Sequence, residues 1–511
     1  MTLLVSVDVG TTSVKAGVYS ADGTRLCVSH QDYRLSTPAV DRVEMDPEGY
    51  WSAVIAAIKE VISADSVNPQ EISGIGVSSQ GETLISLDRS GTPLSPAIVW
   101  LDKRATKEAR ELTARFGPEL YDLTGIPEVN PTWTACKIAW LKTNQPSVYK
   151  QVYKFLLVQD FIVYKLTDNF VTEGSISCTT MLFDIIHQCW WPEALEAVGL
   201  EAGRLADVSL PGKIGGYLTQ PAAEILGLPS GIPVVLGGMD QAVGAVGAGN
   251  IIPEMVSETT GGALAIQVTL SSPDLDPTRQ VPVYLHSVPG KYLFVPVCET
   301  GGMALQWFRD VFCAEETDLA VREGKNAYDL ITSQAEGVDP GSDGLIMLPH
   351  LVGAFSPEYN PRARGTFVGF TLYHRKAHFI RSVLEAIAYM LRRNLELIQG
   401  SGIEVKEIRS TGGGAASLLW RQIKSDVCQM PVVTLADNDT ALLGDAVLAA
   451  LAIGLYGSPE EAVEKMVATA ARTTPSLENA AVYEDAYQRY CQLNDILNPY
   501  FRGLKLADSL G

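Results

Sequence analysis

The sequence is short of positive charge: Lys and Arg number 39 against 59 Asp and Glu, a net charge of −20. Nonspecific binding to nucleic acid or to an anionic membrane needs a basic surface, so both are argued against. Small anionic ligands stay open, because they answer to local fields. Long apolar runs are missing too. Near the N-terminus only Leu3-Leu4-Val5 and Val7 are apolar, with no basic segment ahead of them, and no secretory signal is read. The most apolar later stretch, 441–455, is interrupted by Asp445 and is too short for a bilayer span. Histidines number 6, and the 8 cysteines stand singly with no C-x-x-C pair. This argues against a zinc site and predicts reduced, mostly buried thiols in a cytoplasmic protein.

What is present is an ordinary globular composition, 46% hydrophobic and 19% charged, in 511 residues. That length exceeds one core, and two domains are expected, 1–250 and 251–511. The first opens with strands over Leu3–Val7, Lys15–Tyr19 and Arg25–Ser29. Between the first two lies Asp8-Val9-Gly10-Thr11-Thr12-Ser13. Such a turn gathers backbone N–H groups, two hydroxyls and a carboxylate, the groups that hold a phosphate and its Mg²⁺; an ordinary hairpin would use the same residues. Asp46 and Pro47 predict a helix over Pro47–Ile62. A strand over Ile72–Val77 ends in Gln80-Gly81-Glu82-Thr83, and Trp100-Leu101-Asp102-Lys103-Arg104 follows. Polar groups at strand ends in an α/β sheet tend to face a ligand. Gln80, Glu82, Trp100, Asp102 and Arg104 are therefore candidate contacts, with a surface ion pair as the alternative for Asp102 and Arg104.

The chain is organised around Gly237-Gly238-Met239-Asp240-Gln241, entered by the apolar run Ile232–Leu236 and followed by a helix of small residues. A lone charge there must be paired, solvated or used. Asp240 is read either as a general base for a substrate hydroxyl or as a helix N-cap.

The second half repeats the opening plan. Met255–Glu258 leads into Thr259-Thr260-Gly261-Gly262, then a strand over Ala263–Val268, which suggests two similarly built domains. A strand is expected over Phe294–Cys298, with Glu299-Thr300-Gly301-Gly302 opening a helix over Met303–Phe312 that carries Gln306. A strand ending at Ser410 runs into Thr411-Gly412-Gly413-Gly414-Ala415-Ala416-Ser417 and a helix over Leu418–Cys428. The triple glycine lets a flat ligand or a phosphate reach the backbone, or makes a tight strand–helix turn. It is neither a Walker A loop nor a dinucleotide fingerprint.

Taken together, these stretches resemble the FGGY carbohydrate kinases. Asp8–Lys15 is similar to that family's first phosphate motif and Thr259–Gly262 to its second. Thr132–Asn144, with Lys137 and Trp140, and Gly369–Tyr389 fit its two family patterns. Gly237–Gly249 matches the segment of the catalytic Asp, and Gly412–Asp426 the adenosine loop. The resemblance implies an α/β fold of two actin-like (ribonuclease H-like) ATPase domains flanking a cleft, with ATP and Mg²⁺ as cofactors. It implies Asp240 as the base and Asp8 near the Mg²⁺. Thr11, Thr12, Lys15, Thr260, Gly261, Gly302 and Gln306 would serve the phosphates, and Gly413, Gly414 and Ser417 the adenosine. Gln80, Gly81, Glu82, Trp100, Thr132, Asp240 and Gln241 would hold a small sugar or polyol. Gln80–Thr83 and Trp100-x-Asp102 look like glycerol kinases, but Gly81 stands where those carry an Arg. Gly244–Gly247 and His286–Gly290 look like xylulokinases, without their Met-His pair near 80–82. D-xylulose is the expected substrate, with glycerol or another polyol or ketose as the alternative. A homodimer is expected. Rival readings are a non-catalytic sugar-sensing relative and an actin-like ATPase that moves a protein partner.

Overall fold

Leu3, Leu4, Val5, Val7 and Val9 are buried on both faces of one strand, which makes it a central one. This strand, β1 (Leu3–Val9), pairs antiparallel with β2 (Ser13–Ser20), which pairs with β3 (Arg25–Asp32). The computed structural model describes residues 2–117, 119–253 and 255–504. Helix α1 (Pro47–Ile62) begins as the sequence dictates, with the Asp46 side chain accepting from Glu48 N and Pro47 in the first turn. It buries Tyr50, Trp51, Val54, Ala57, Ile58 and Val61, a stripe at helical spacing. The sheet is completed by β4 (Ile72–Ser79), β5 (Ile214–Tyr217) and β6 (Pro233–Met239), in the order β5-β6-β4-β1-β2-β3. The inner pairs β1–β4 and β4–β6 are parallel.

Ile251 closes the first segment of this unit, next to the division read from the sequence. Two later segments, Thr269–Phe294 and Asp439–Ala468, also pack in it. The second brings α7 (Thr440–Ala452) onto the sheet and against α3 (Asp240–Gly247). Glycines set that approach: a Cβ on Gly444 would lie 2.0 Å from Val243 O, and one on Gly247 1.9 Å from Thr440 O. Strand alternation sorts β1 between two cores. Leu3, Val5, Val7 and Val9 join the α1 side, while Leu4 packs with Leu442, Leu443 and Ala446 of α7. By the same alternation Asp8 belongs to the α7 face.

The second unit comprises Ile252–Val268, Val295–Asn438 and Thr469–Gly511. Its sheet runs β8-β7-β9-β10-β11, formed by β7 (Met255–Thr260), β8 (Leu264–Leu270), β9 (Glu407–Thr411), β10 (Val432–Leu435) and β11 (Thr469–Thr473). Pairs β7–β9 and β9–β10 are parallel and the outer pairs antiparallel, which is the plan of the first unit again. Helices α4 (Met303–Phe312) and α6 (Leu418–Cys428) have the bounds expected from sequence. The long α5 (Lys376–Gly400) packs along α6. The single strand expected over Phe294–Cys298 is instead two, Tyr292–Phe294 and Val297–Cys298, because Pro296 between them cannot donate to a ladder. Among the described residues no helix is long and apolar enough to cross a membrane, and all 8 cysteines are free.

Candidate active site

Asp240 opens α3 straight from the end of β6. Met239 takes the extended N-cap conformation and Asp240 is the first helical residue, so its side chain does not cap the helix. Its Oδ1 accepts from the adjacent Gln241 N at 2.7 Å. Burial pushes the Asp240 carboxyl up to about 8; the charges of Asp8 and Glu82 add to this and the Gln241 N–H opposes it. A carboxyl so placed can exchange a proton near neutrality, the range in which general acid–base transfer is most efficient.

The turn that carries Asp240 is clamped from below. Gly238 has φ +117, and a Cβ there would lie 2.1 Å from Ser175 Oγ. Met239 N donates to Ser175 Oγ at 3.1 Å, and that hydroxyl donates to the buried Glu173 at 2.7 Å. Sequence reasoning missed Glu173 and Ser175, since neither sits in a recognisable pattern.

Asp8 lies opposite Ser78 on the neighbouring strand, and Ser78 Oγ is 3.1 Å from its Oδ1. Burial raises the Asp8 carboxyl, against the Ser78 hydrogen bond and the charge of Lys15. Lys15 itself donates to Asp439 at 2.6 Å, and Arg25 pairs with the same carboxylate. Thr11 Oγ1 accepts from the indole N–H of Trp100 at 2.8 Å, and the Trp100 ring stays 37% exposed. Thr12 is exposed, as is Gln241. Gln80 braces the first turn: its N donates to Val9 O at 2.9 Å and its Nε2 to Gly10 O at 3.0 Å.

Glu82 follows the buried Gly81 with φ +53, a left-handed conformation uncommon for a non-glycine residue. Its peptide is pinned: Glu82 N donates to Thr179 Oγ1 at 3.3 Å, and Glu82 O accepts from Thr134 at 3.0 Å and Lys137 at 2.9 Å. Thr134 opens α2 (Thr134–Asn144), two residues after Thr132, whose hydroxyl donates to Asn130 at 3.1 Å. Burial pushes Glu82 up and Lys137 down, each opposed by the other's charge. Asp102 and Arg104 are neither ligand contacts nor a surface pair. Both are buried, Arg104 bonds Asp102 and Glu44, and Asp102 accepts from Val43 N at 2.6 Å. Glu44, distant in sequence, could not be foreseen as the partner.

Asp8 and Asp240 are hard oxygen donors on one unit. Mg²⁺ suits such a small set, because it keeps waters and draws its other ligands from phosphate. No group of three or more His, Cys, Asp or Glu among the described residues offers an all-protein cage.

The second unit holds a cavity of about 390 Å³. It gathers Thr260, Gly261, Gly302, Gln306, Gly413, Gly414 and Ser417, all seven residues that the sequence assigned to a nucleotide in this half. A Cβ on Gly261, Gly262 or Gly413 would meet nothing within 4 Å, so the chain's own packing does not require glycine there. Open space over bare backbone is what a phosphate or adenosine needs. Gly414 differs, since a Cβ on it would lie 2.6 Å from Thr260. The Thr260 hydroxyl is buried, donating to Glu258 at 2.7 Å and accepting from Lys424 at 2.8 Å. Asn326, Tyr328 and Asp329 also line the cavity and were not foreseen. Tyr328 is held by the Arg309 guanidinium, 4.9 Å from the ring centroid.

Residues 3–247 match the model of the FGGY family of carbohydrate kinases, N-terminal domain, and residues 259–453 that of the C-terminal domain. The chain is 30% identical over 499 residues to a gluconokinase of Bacillus subtilis (strain 168), covering 97% of this chain and 96% of that protein. It is 28% identical over 499 residues to a xylulose kinase of Staphylococcus xylosus, covering 97% of this chain and 100% of that protein. Among solved structures, a ligand-bound xylulose kinase from Lactobacillus acidophilus superposes with a TM-score of 0.89 at 25% identity, covering 98% of this chain and 99% of that one.

Proposed function

The chain belongs to the FGGY family of carbohydrate kinases and is a sugar kinase, and from that premise we propose that it transfers the γ-phosphate of ATP to a hydroxyl of a neutral ketopentose, D-xylulose first. The observation that carries the reading is Asp240, a carboxyl pushed up to about 8 at the start of α3. Asp240 takes the proton of the attacking hydroxyl. The Trp100 ring offers the sugar a flat apolar face, and Gln241, Glu82 and Thr132 supply polar contacts. Backbone at Gly261, Gly302, Gly413 and Gly414 receives the nucleotide, with Gln306 and Ser417 beside it. Thr11 and Thr12 serve the transferred phosphate. Asp8, with Asp240 nearby in charge, would hold Mg²⁺, which when bound neutralises phosphate charge. Phosphoryl transfer depends mainly on this positioning and charge neutralisation.

Relatives include gluconate, xylulose and autoinducer-2 kinases, and the local charge favours a neutral substrate over gluconate. Asp8, Glu82 and Asp240 are all acids, and the nearest buried amine, Lys137, already donates to the Glu82 backbone. An aldonate would meet a site rich in acids, with no uncommitted cation among these residues to receive its carboxylate. The test is ADP release from MgATP across ketopentoses, pentitols, glycerol, gluconate and autoinducer-type sugars. D-xylulose should raise the rate furthest above the ATP-only background. Stimulation by gluconate alone would overturn the neutral-sugar reading, and a panel flat throughout would return weight to a sugar-sensing role.

A further inference from the structure

Asp445 sits in the middle of α7, and nothing above gives it a task. It is completely buried. Two strand glycines make room for it. A Cβ on Gly237 of β6 would lie 2.0 Å from Asp445 Oδ1, and one on Gly76 of β4 would lie 2.5 Å from the Asp445 carbonyl oxygen. The two strands that lead to Gln80 and Asp240 thus both give up a side chain to admit one acid from a helix far along the sequence. The Oδ2 of Asp445 is 2.7 Å from Ser78 Oγ, and the same Ser78 Oγ is 3.1 Å from Asp8 Oδ1. Its Oδ1 has no hydrogen-bond partner.

These contacts can be counted in protons. A serine hydroxyl has one proton to donate, and an ionised carboxylate has none. Two carboxyl oxygens cannot both receive the Ser78 proton, so one of the two acids supplies the other hydrogen bond. Asp8 is partly exposed, so water reaches its carboxylate, and burial raises it against the opposing charge of Lys15. Asp445 has no such cation and would leave a bare charged oxygen in the core, which is the costlier arrangement.

We propose that Asp445 is a positioning residue for the phosphoryl-transfer site: as a neutral acid it donates its proton to Ser78 Oγ, which turns the Ser78 hydroxyl onto Asp8 Oδ1 and fixes Asp8 as an oriented, ionised carboxylate. Desolvation pushes the Asp445 carboxyl well above the usual range, with the charge of Asp8 adding and hydrogen bonds from both the Ser78 hydroxyl and the Ser78 backbone N–H opposing without overcoming it. The role assigned to Asp8 comes from the sugar-kinase reading, on which this inference rests.

Three variants and one spectrum test it. In ligand-free, metal-free protein at neutral pH, the infrared difference between wild type and Asp445→Asn should contain the carbonyl band of a protonated carboxyl. Asp445→Asn keeps a donor toward Ser78 and should retain kcat within about 3-fold, while Asp445→Leu removes the donor and should lower kcat about 10- to 100-fold with the sugar KM little changed, the range seen when a partner behind a ligand is lost. Ser78→Ala breaks the same link, so Asp445→Leu in that background should add little to the loss. A merely structural acid would give additive losses and no rescue by Asn. Absence of the protonated-carboxyl band, Asn as damaging as Leu, or additivity with Ser78→Ala would each overturn the proposal. If Asp445→Leu does not fold, the band and the Asn and Ser78→Ala variants still decide it. A sugar panel that stays flat would sink the kinase reading, whereas a positive panel without the band sinks only this inference.

Discussion

The two units place a carboxylate at the same point of the same sheet and use it in opposite ways. In the first, Asp8 of β1 lies across from Ser78 of the parallel strand β4; in the second, Glu258 of β7 lies across from Ser410 of the parallel strand β9. Both serines contact the facing carboxylate. The third partner differs. Glu258 meets Lys424 at 2.5 Å, both side chains fully buried, with the Thr260 hydroxyl bridging them. Asp8 has instead, through Ser78, the acid Asp445. A lysine in that position turns the carboxylate into a structural ion pair and leaves the adjoining glycine turn to work through its backbone. An acid in that position leaves Asp8 an acceptor whose charge is not cancelled from behind. The two halves therefore differ in what backs the carboxylate: a cation in direct contact in the second unit, an acid reached through a serine in the first.

The largest effect expected along this contrast is at the chemical step of the first unit. Asp240→Asn keeps an oxygen to accept from Gln241 N, so it should fold and, near neutral pH, melt no lower than the wild type. Removing a positioned base should lower kcat for the best sugar about 10²- to 10⁴-fold. Steady-state ADP release and a melting curve on the same sample check both parts. Near-normal turnover would remove Asp240 from the role of base.

The opposite outcome is expected in the second unit, where the ion pair holds structure. Lys424→Met leaves Glu258 buried with its charge uncompensated, which should cost about 3–5 kcal/mol. Adding Glu258→Gln should recover much of that loss, because a neutral pair no longer strands a charge. Denaturant unfolding of the three proteins measures this. A Lys424→Met protein as stable as the wild type would mean that the pair is not the anchor of the Thr260 turn, and the contrast between the units would lose its second half.

Much of this frame was legible in the sequence. Helices α1, α4 and α6 start where Asp46-Pro47, Gly302 and Ser417 mark them, because caps and glycine turns act within a few residues. Of the seven residues assigned to the second-unit cavity, six lie in Gly- or Thr-rich turns at strand ends, which a sequence shows directly, and Gln306 lies just inside the helix that follows one of them. What escaped were the long-range partners. β1 continues past Val7 through Asp8 to Val9, since ladder pairing with two neighbours does not depend on side-chain polarity. Lys15 pairs with Asp439, 424 positions away, and Arg104 with Glu44, and no local pattern announces either. Asp445 was visible only as an interruption of an apolar run. Its place behind Ser78 depends on a chain segment that returns to the first unit after most of the second has been built.

The smallest effect is a pH dependence carried by three acids of the first unit. Asp240 is raised from 3.8 to about 8, Glu82 from 4.5 to about 7 and Glu173 from 4.5 to about 7, each chiefly by burial. A carboxyl raised on folding binds its proton more tightly in the folded than in the unfolded chain. Its stabilising contribution is full below the unfolded value near 4 and is lost as pH rises through the folded value. Ligand-free, metal-free protein should therefore lose stability from about pH 4 toward pH 8, by up to about 1.4 kcal/mol per pH unit for each such proton. Asp240→Asn should remove one proton's share of that slope, and most visibly between pH 7 and 8, where Asp240 still holds its proton after the two glutamates have largely released theirs. Melting temperatures of the wild type and this variant across the range decide it. An unchanged slope in Asp240→Asn would show that Asp240 titrates as an ordinary carboxylate, and the claim that burial leaves Asp240 electrostatically uncompensated would fall with it.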